Sequence, residues 1–312
     1  MNRFRFVLYR PIQLLPVLLG ISLVTFVLVH ALPGEPVRAL LGGKATAETV
    51  ARIRAQFGLD QPLVLQYFYF LENFCRGDFG TSVIYKIPVG RVVAEHIDAT
   101  LLLLGSGVLL ALVLTVPLAV VATHYRGRLP DHLIRVLSTA GLGFPAFWLG
   151  IMLIILFSVR LGLFPVSGYG EDFIDHLHHL FLPALAIALS LSAVLTRNLR
   201  ASLIAESESD YVSAARARGM PERWIFLRHV FRNSLIPTVN LLGVNLGWLI
   251  GGTVVVESVF SVPGLGSLMV SSIFTRDYMV VLGVTLTFAV ATVMVTFVVD
   301  IVTVALDPRI KP

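Results

Sequence analysis

Six long apolar stretches, separated by shorter polar segments, set the pattern of the chain. They lie at Pro11–Leu32, Ala99–Thr123, Val136–Val159, Leu180–Leu199, Leu235–Glu257 and Met279–Leu306. Each can cross a membrane, which requires about 20 predominantly apolar residues. Each must be helical, because an unpaired backbone group in lipid is costly. The pattern therefore predicts an all-α, polytopic membrane protein with six transmembrane helices.

The basic residues predict how these helices are oriented. Most of them lie at the chain ends and in the segments that follow the second and fourth stretches, whereas the two short loops on the other side hold only Arg160 and Arg276. Because Lys and Arg concentrate on the cytoplasmic side, we expect both termini inside, an N-in/C-in topology. The net charge of +5 has the same origin and is not evidence for nucleic-acid binding. The first apolar stretch is expected to be a retained helix and not a cleaved signal peptide.

The same pattern divides the chain into four parts. Residues 1–32 form a tail and the first transmembrane helix, 33–98 an external loop, 99–307 a five-helix core with a cytoplasmic loop at 200–235, and 308–312 a tail. Within the external loop we expect a short helix at Thr46–Phe57, capped by Thr46, and a helix with an aromatic face in Leu59–Cys75. That face either packs against the bundle or headgroups or receives a partner protein. A second external segment, Val259–Tyr278, is apolar but broken by Pro and Gly, which favours a re-entrant or capping element.

Small and polar residues mark the fifth apolar stretch. Gly243, Gly247 and Gly251 recur at four-residue intervals, which predicts a smooth face for close helix packing. Asn245 is a candidate for lining a pathway, although it can equally hydrogen-bond between helices. Glu257 is a second pathway candidate, but its position near the end of the stretch favours a structural or interfacial role.

No catalytic constellation is recognisable, so we do not expect an enzyme. The phosphate-binding pattern G-x-x-x-x-G-K-[ST] is absent, and so are H-E-x-x-H and G-x-S-x-G. His176, His178 and His179 could bind a soft divalent metal, but a solvated loop of titrating imidazoles is the favoured interpretation, and no metal site is predicted. The single cysteine, Cys75, excludes an intrachain disulfide.

The segment Asp210–Pro237 is a polar island between apolar stretches. Asp210 is expected to cap a helix of about two turns, Tyr211–Arg218, which Gly219 ends. The expected small face of this helix consists of Ser213, Ala214 and Ala217, its apolar anchors are Tyr211, Val212 and Met220, and Arg216 and Arg218 face acidic or lipid groups. Such a helix is marginal alone and suits docking into a groove.

This segment resembles the cytoplasmic signature of ATP-binding-cassette importer permeases, E-A-A-x3-G-x9-I-x-L-P. Ala214, Ala215 and Gly219 keep its spacing, whereas Ser213 replaces the glutamate. The ending His229-x3-Asn233-x3-Pro237 is similar to the peptide and nickel branch of that family. Further stretches that resemble this branch are LPGEP, FGLDQPLVLQY, GDFGTS, VVESVFSVPGLG, TRDY and ALDPRIKP. The chain looks like the first of the two permeases that such systems encode.

The resemblance implies a type I importer permease fold in the bacterial inner membrane. It also implies partners: a second permease in a heterodimer, two ATPases that carry ATP and Mg²⁺, an extracytoplasmic solute-binding protein and membrane lipid. This chain itself would bind no cofactor. The residues that couple it to the ATPases would be Asp210, Tyr211, Ser213, Ala214, Ala215, Arg216, Arg218 and Gly219, flanked by His229, Asn233 and Pro237.

The resemblance leaves the substrate open. Di- and oligopeptides are expected, with nickel or nickel chelates, glutathione and opines as alternatives. A different class, an ion-coupled secondary transporter, predicts paired buried acids and broken helices near the midplane, and neither is evident in the sequence.

Overall fold

The computed structural model describes residues 15–27 and 61–306. Over these ranges the chain is helical and contains no named strand; Thr81 and Pro88 form an isolated antiparallel bridge. The helices are α1 (Leu15–Val27), α2 (Leu63–Cys75), α3 (Val89–His124), α4 (Leu129–Gly143), α5 (Ala146–Arg160), α6 (Phe173–Ser207), α7 (Asp210–Ala217), α8 (Glu222–Phe260), α9 (Leu265–Phe274) and α10 (Tyr278–Leu306). The predicted all-α class is confirmed for this part of the chain.

Four of the described helices, α3, α6, α8 and α10, are long and apolar enough to cross a membrane. Four predicted stretches, Ala99–Thr123, Leu180–Leu199, Leu235–Glu257 and Met279–Leu306, fall within them. The first stretch, Pro11–Leu32, is described only at α1, and the predicted helix Thr46–Phe57 lies outside the described residues. The number six, the domain limits and the N-in/C-in orientation therefore stay predictions.

The third predicted stretch, Val136–Val159, is not one continuous helix, so that part of the prediction was wrong, although the two helices that contain it are together long and apolar enough for one bent span. It is split between α4 and α5, which meet at an angle of 105°. Pro145 causes the break, because proline lacks an N–H donor and disfavours the helical conformation in the residue before it. Accordingly, Phe144 is extended, with φ −107° and ψ 124°.

Helix α6 is the centre of the fold. In its most apolar window 67% of the residues are buried, against 17–22% in the corresponding windows of α3, α8 and α10. Helices α3, α4, α5 and α8 all pack against it. Glycines permit the closest approaches: a Cβ on Gly107 would lie 3.0 Å from Cγ2 of Ile187, and one on Gly150 would lie 2.7 Å from Cε2 of Phe260.

The two segments predicted to be external, α2 and α9, both contact other helices. The aromatic face of α2 contacts α1, with the rings of Tyr67 and Phe70 centred 5.4 and 5.7 Å from that of Phe26. This contact agrees with packing against the bundle, the first of the two roles considered for that face. The broken segment after α8 forms α9, which packs on α3, α8 and α10 and buries Leu265 and Leu268.

Candidate functional site

Helix α7 lies between α6 and α8, where the sequence predicts a docking element. It begins one residue earlier than expected, because Ser209 occupies the N-cap position with φ −71° and ψ 153°. The predicted capping role of Asp210 was therefore wrong. Asp210 lies in the first turn instead, where its negative charge still interacts favourably with the helix dipole.

A Schellman motif ends α7. Gly219 has φ +77°, its N–H donates to the carbonyl of Arg216 at 2.9 Å, and the N–H of Met220 donates to the carbonyl of Ala215 at 3.3 Å. These two bonds satisfy carbonyls that the helix end would otherwise leave unpaired. The predicted helix end at Gly219 is thus confirmed, and its left-handed conformation favours glycine.

The inward face of α7 is apolar. Val212 and Ala215 are buried in a cluster that includes Leu199, Leu203 and Ile225. We expected Val212 to anchor a partner, and that expectation was wrong: the side chain is fully buried within this chain. Ala215 likewise faces the bundle, so a partner that contacts α7 meets other residues.

The outward face of α7 consists of small side chains and one acid. Asp210, Ser213, Ala214 and Ala217 are all exposed, and their spacing of i, i+3, i+4 and i+7 places them on one side of the helix. Short side chains allow a neighbouring backbone to come close. The outward face is therefore a narrow ridge that fits a groove. The buried apolar contacts of the inward face attach this ridge to the rest of the chain.

The predicted flanking residues meet α7 at Tyr211. The Asn233 amide donates to the Tyr211 hydroxyl at 3.0 Å, the His229 ring lies edge-on to the Tyr211 ring at 6.2 Å, and the hydroxyl donates to the Glu206 carboxylate. Burial raises the pKa of the Tyr211 phenol, and the hydrogen bond to Glu206 raises it further. Tyr211 thus stays neutral and links α6, α7 and α8.

The remaining flanking residue, Pro237, lies inside α8. It cannot donate to the helix ladder. The turns before it are already irregular, since Phe226–Phe231 is π-helical.

The arginines of α7 have different surroundings. Arg216 Nε lies 2.7 Å from Oε1 of Glu222, and its Nη1 donates to the carbonyl of Ser207 at 3.3 Å, so this side chain connects α7 with both neighbouring helices. Arg218 is exposed beside the outward face. Arg218 is therefore the better placed of the two to meet an acidic partner.

Sequence reasoning missed an exposed apolar surface next to α7. Trp224 and Leu227 are 42% and 65% exposed, and the Arg228 guanidinium lies 5.3 Å from the Trp224 ring centre. With Pro221 and Arg223 they line a shallow depression of about 500 Å³. The i, i+3 spacing of Trp224 and Leu227 on a short amphipathic turn was the available signal.

A buried ion pair close to this region was also missed. Asp131 of α4 accepts from Nε and Nη2 of Arg200 at 2.6 and 2.7 Å, and from the N–H of Gly127 at 2.9 Å. This two-pronged geometry fixes α4 and the preceding turn against α6.

The glycine stripe of α8 is only partly a packing interface within the chain. A Cβ on Gly243 would lie 2.5 Å from Cγ1 of Val299, and one on Gly247 would lie 3.6 Å from Cγ2 of Thr292, so this part of the stripe contacts α10. Gly251 has nothing within 4 Å of that position. The predicted close packing therefore holds at Gly243 and is absent, within the described residues, at Gly251.

Both pathway candidates make hydrogen bonds within the chain, but only Glu257 is fully buried, and the pathway role of Asn245 stays a prediction. The Asn245 amide donates to the carbonyl of Leu241 in its own helix at 2.8 Å. Glu257 is fully buried and accepts three hydrogen bonds, from the Thr100 hydroxyl and the N–H groups of Gly266 and Ser267, at 2.7, 2.7 and 3.0 Å. This geometry agrees with a structural role for Glu257 and corrects its assignment to an open pathway.

Comparison with known proteins shows the family of this chain and the proteins to which it is similar. Residues 89–312 match the family described as binding-protein-dependent transport system inner membrane component, and residues 3–89 match its N-terminal family. The glutathione transport system permease proteins GsiC of Salmonella typhimurium and Escherichia coli K12 are each 38% identical over 306 residues, which covers 98% of both chains. A chain of the MetNI methionine ABC transporter, in an inward-facing conformation, superposes with TM-score 0.57 at 17% identity, covering 69% of this chain and 96% of that one.

Proposed function

Because the chain belongs to the binding-protein-dependent transport system inner membrane components, we propose that it pairs with a second permease to form the translocation path of an ATP-driven importer for short peptides. It is a multi-pass protein of the bacterial inner membrane. Two ATPases supply the energy, and a solute-binding protein delivers the substrate. ATP and Mg²⁺ bind to the ATPases and not to this chain.

The observation that carries the proposal is the two-sided construction of α7. Its inner face is anchored by Val212 and Ala215, whereas Ser213, Ala214 and Ala217 face outward as a ridge of small side chains. A ridge that is attached to α6 and α8 through hydrogen bonds moves with both helices. A partner that grips the ridge can therefore transmit a change in its own shape to the helices of the pathway.

The exposed surface beside α7 extends the proposed contact. Trp224 and Leu227 supply apolar area, and Arg218, Arg223 and Arg228 supply positive charge. Aromatic and arginine side chains dominate the free energy of many protein interfaces. We assign this surface to the ATPase contact.

Substitution of the outward face tests the coupling role. Ala217→Arg places a long charged side chain on the ridge without disturbing the buried face, and we expect ATPase binding to weaken at least about tenfold, as for a central interface position. ATPase co-purification and ATP hydrolysis by the assembled complex measure this. The matched control is Ala94→Arg, an exposed alanine of α3 near the opposite end of the bundle.

Ala215→Glu is a less informative change, since Ala215 is buried and the substitution disturbs this chain before it reaches a partner. If Ala217→Arg retains normal ATPase binding and ATP-driven uptake, the coupling role is wrong. Uptake by the reconstituted permeases without any ATPase would instead support an ion-coupled secondary transporter.

We propose glutathione, itself a tripeptide, as the first substrate to test. Its support is the 38% identity with permeases named for glutathione transport. The decisive measurement is ligand binding by the solute-binding protein of this system, followed by uptake of labelled glutathione, dipeptides and Ni²⁺. Uptake of Ni²⁺ or an opine in place of both peptides would contradict the peptide assignment and leave the permease role intact.

A further inference from the structure

Three potential metal ligands gather in the first turns of α6, at the end of that helix opposite α7. Asp175, His178 and His179 can each offer one ligand atom such that all three atoms lie within 4.8 Å of one another. Nδ1 of His179 lies 3.2 Å from Oδ1 of Asp175, and it also lies 3.0 Å from the Asp175 carbonyl oxygen, to which it donates. The spacing of i, i+3 and i+4 places the three side chains on neighbouring turns of one helix face.

These distances fit a small divalent cation. Two ligands of a tetrahedral Zn²⁺ with bonds of about 2.0–2.2 Å lie about 3.3–3.6 Å apart. Oδ1 of Asp175 and Nδ1 of His179 already have this separation. A cation bound between them would displace the proton of Nδ1, which the ring can carry on Nε2 instead. His178 is exposed, so a change of its side-chain torsions can close the remaining difference of about 1 Å.

Hydrogen bonds orient two of the three ligands, His178 and Asp175, so that each has a free atom for a cation. Nε2 of His178 lies 3.2 Å from the carbonyl oxygen of Leu163, and since a carbonyl can only accept, Nε2 carries the proton and Nδ1 keeps its lone pair. Oδ2 of Asp175 accepts from the N–H of Glu171 at 3.2 Å, which leaves Oδ1 on the side of His179. Such contacts from the second nitrogen or oxygen of a ligand typically orient metal-binding side chains.

The local charge favours a cation. Residues 161–180 contain three carboxylates, at Glu171, Asp172 and Asp175, and no lysine or arginine. This concentration of negative charge offsets the positive end of the helix dipole at the start of α6. Two imidazoles and a carboxylate are a ligand set that suits Zn²⁺, Ni²⁺ and Cu²⁺ better than Mg²⁺ or Ca²⁺.

We propose that Asp175, His178 and His179 form a binding site for a late first-row divalent cation, with water completing its coordination. The sequence favoured a solvated loop here, because spacing alone could not distinguish His178 and His179 from their neighbour His176. The structure places His176 outside the group that Asp175, His178 and His179 form. His176 stacks on Tyr169 with ring centres 3.9 Å apart, and its Nδ1 donates to the Tyr169 carbonyl at 2.8 Å.

A bound cation would fasten the segment between α5 and α6. That segment approaches the site through the Leu163 carbonyl, and it contacts α8 through the N–H of Gly168, which donates to the Phe260 carbonyl at 2.9 Å. Occupancy of the site would therefore stiffen the end of the bundle that lies farthest from α7.

Direct metal titration tests the proposal independently of transport. The full chain, purified in detergent with an affinity tag free of histidine and stripped with chelator, is titrated with Co²⁺ and followed by its visible absorption, then with Zn²⁺ in competition. We expect one ion per chain and the intense absorption of a four-coordinate Co²⁺ site. His179→Ala and Asp175→Asn should each weaken binding by at least about tenfold, since even a lost orienting contact costs 10–100-fold.

His176→Ala is the matched control, because it removes an imidazole from the same helix turn but not from the ligand set. It should bind Co²⁺ as the unmodified chain does. Unchanged affinity in all variants, or equal loss in His176→Ala, overturns the proposal. If His179→Ala elutes as an aggregate, His178→Gln at the exposed position decides the question: unmodified affinity in that folded variant also overturns the three-residue site.

Discussion

The two ends of the bundle hold their polar groups in different ways. On either side of α9, two fully buried carboxylates, Glu257 near the end of α8 and Asp277 just before α10, accept hydrogen bonds from other segments of the chain. Around α7, the ion pairs Arg216–Glu222 and Arg126–Glu208 have side chains that are 45–67% exposed. We call these regions the α9 end and the α7 end.

The difference has a physical consequence. A buried carboxylate has no water to replace its donors, so its hydrogen bonds cannot be broken without leaving several groups unpaired. An exposed pair can exchange its contacts with water at little cost. The α9 end is therefore built as a fixed junction, whereas α7 is attached by buried apolar contacts and exchangeable surface contacts.

One ion pair near α7 supports this distinction. Asp131 is 1% exposed and pairs with Arg200 in two-pronged geometry. It fixes α4 to α6, and α7 takes no part in it. The buried electrostatic contact thus belongs to the scaffold, and the proposed docking helix itself remains free of such a restraint among the described contacts.

The strongest test of the comparison is removal of the Glu257 carboxylate. Glu257→Ala leaves the buried Thr100 hydroxyl and Gly266 N–H, and the partly buried Ser267 N–H, without this acceptor. We expect the free energy of unfolding to fall by about 3–5 kcal/mol. Thermal unfolding of the detergent-solubilised chain, followed by the loss of its monodisperse elution peak, measures the change.

Glu257→Gln is the control, because it retains one acceptor oxygen and nearly the same shape. It should lower the free energy of unfolding clearly less than Glu257→Ala does. A loss of about 1 kcal/mol for Glu257→Ala, the average for any point mutation, would show that the α9 end is not a fixed junction.

Substitution of Gly219 gives the next largest effect and probes the α7 end. Gly219→Ala has free space around the new Cβ, so its cost comes from the backbone, which has φ +77°. We expect a loss of about 1–2 kcal/mol in the free energy of unfolding and weaker coupling to the ATPases. Gly219→Asn should recover part of it, because asparagine tolerates the left-handed region.

Gly251→Ala is the matched substitution within a helix. Nothing lies within 4 Å of its Cβ position, so the isolated chain should be stabilised by about 0.5–1 kcal/mol. Destabilisation of the isolated chain by Gly251→Ala would mean that the stripe packs at Gly251 as well as at Gly243. If alanine at Gly219 and alanine at Gly251 changed the free energy of unfolding equally, the positive φ of Gly219 would not be the cause of its effect.

Features that depend on neighbouring residues in the sequence were predictable, whereas contacts between residues far apart in the sequence were not. Four apolar stretches became long helices, since length and composition are local properties. The break before Ala146 was readable in principle, because Gly141, Gly143 and Pro145 precede it, yet uninterrupted hydrophobicity dominated the prediction. The Ser82–Asp277 hydrogen bond joins residues 195 positions apart, and no periodicity encodes such a contact.

The candidate site shows the same limit on a smaller scale. Ser209 and Asp210 are both good N-cap residues, and backbone dihedral angles alone decide between them. Small residues occur on both sides of α7, so the pattern could not tell that Ala215 faces inward and Ala214 outward. By contrast, the end of α7 was predictable, because Gly219 is followed closely by Pro221 and both act locally.

The smallest expected effect concerns the exposed pair Arg216–Glu222. A double-mutant cycle with Arg216→Gln and Glu222→Gln should give a coupling free energy of about 0.2–1 kcal/mol, and added salt should reduce it. The hydrogen bond to Glu222 raises the pKa of Arg216, so the arginine stays charged at every pH below its ordinary pKa. The pair Arg76–Glu72 on α2, with side chains 71% and 51% exposed, is the matched surface control. A coupling for Arg216–Glu222 that matches the loss in Glu257→Ala and persists in high salt would mean that α7 is fixed as firmly as the α9 end, which contradicts the distinction drawn between the two ends.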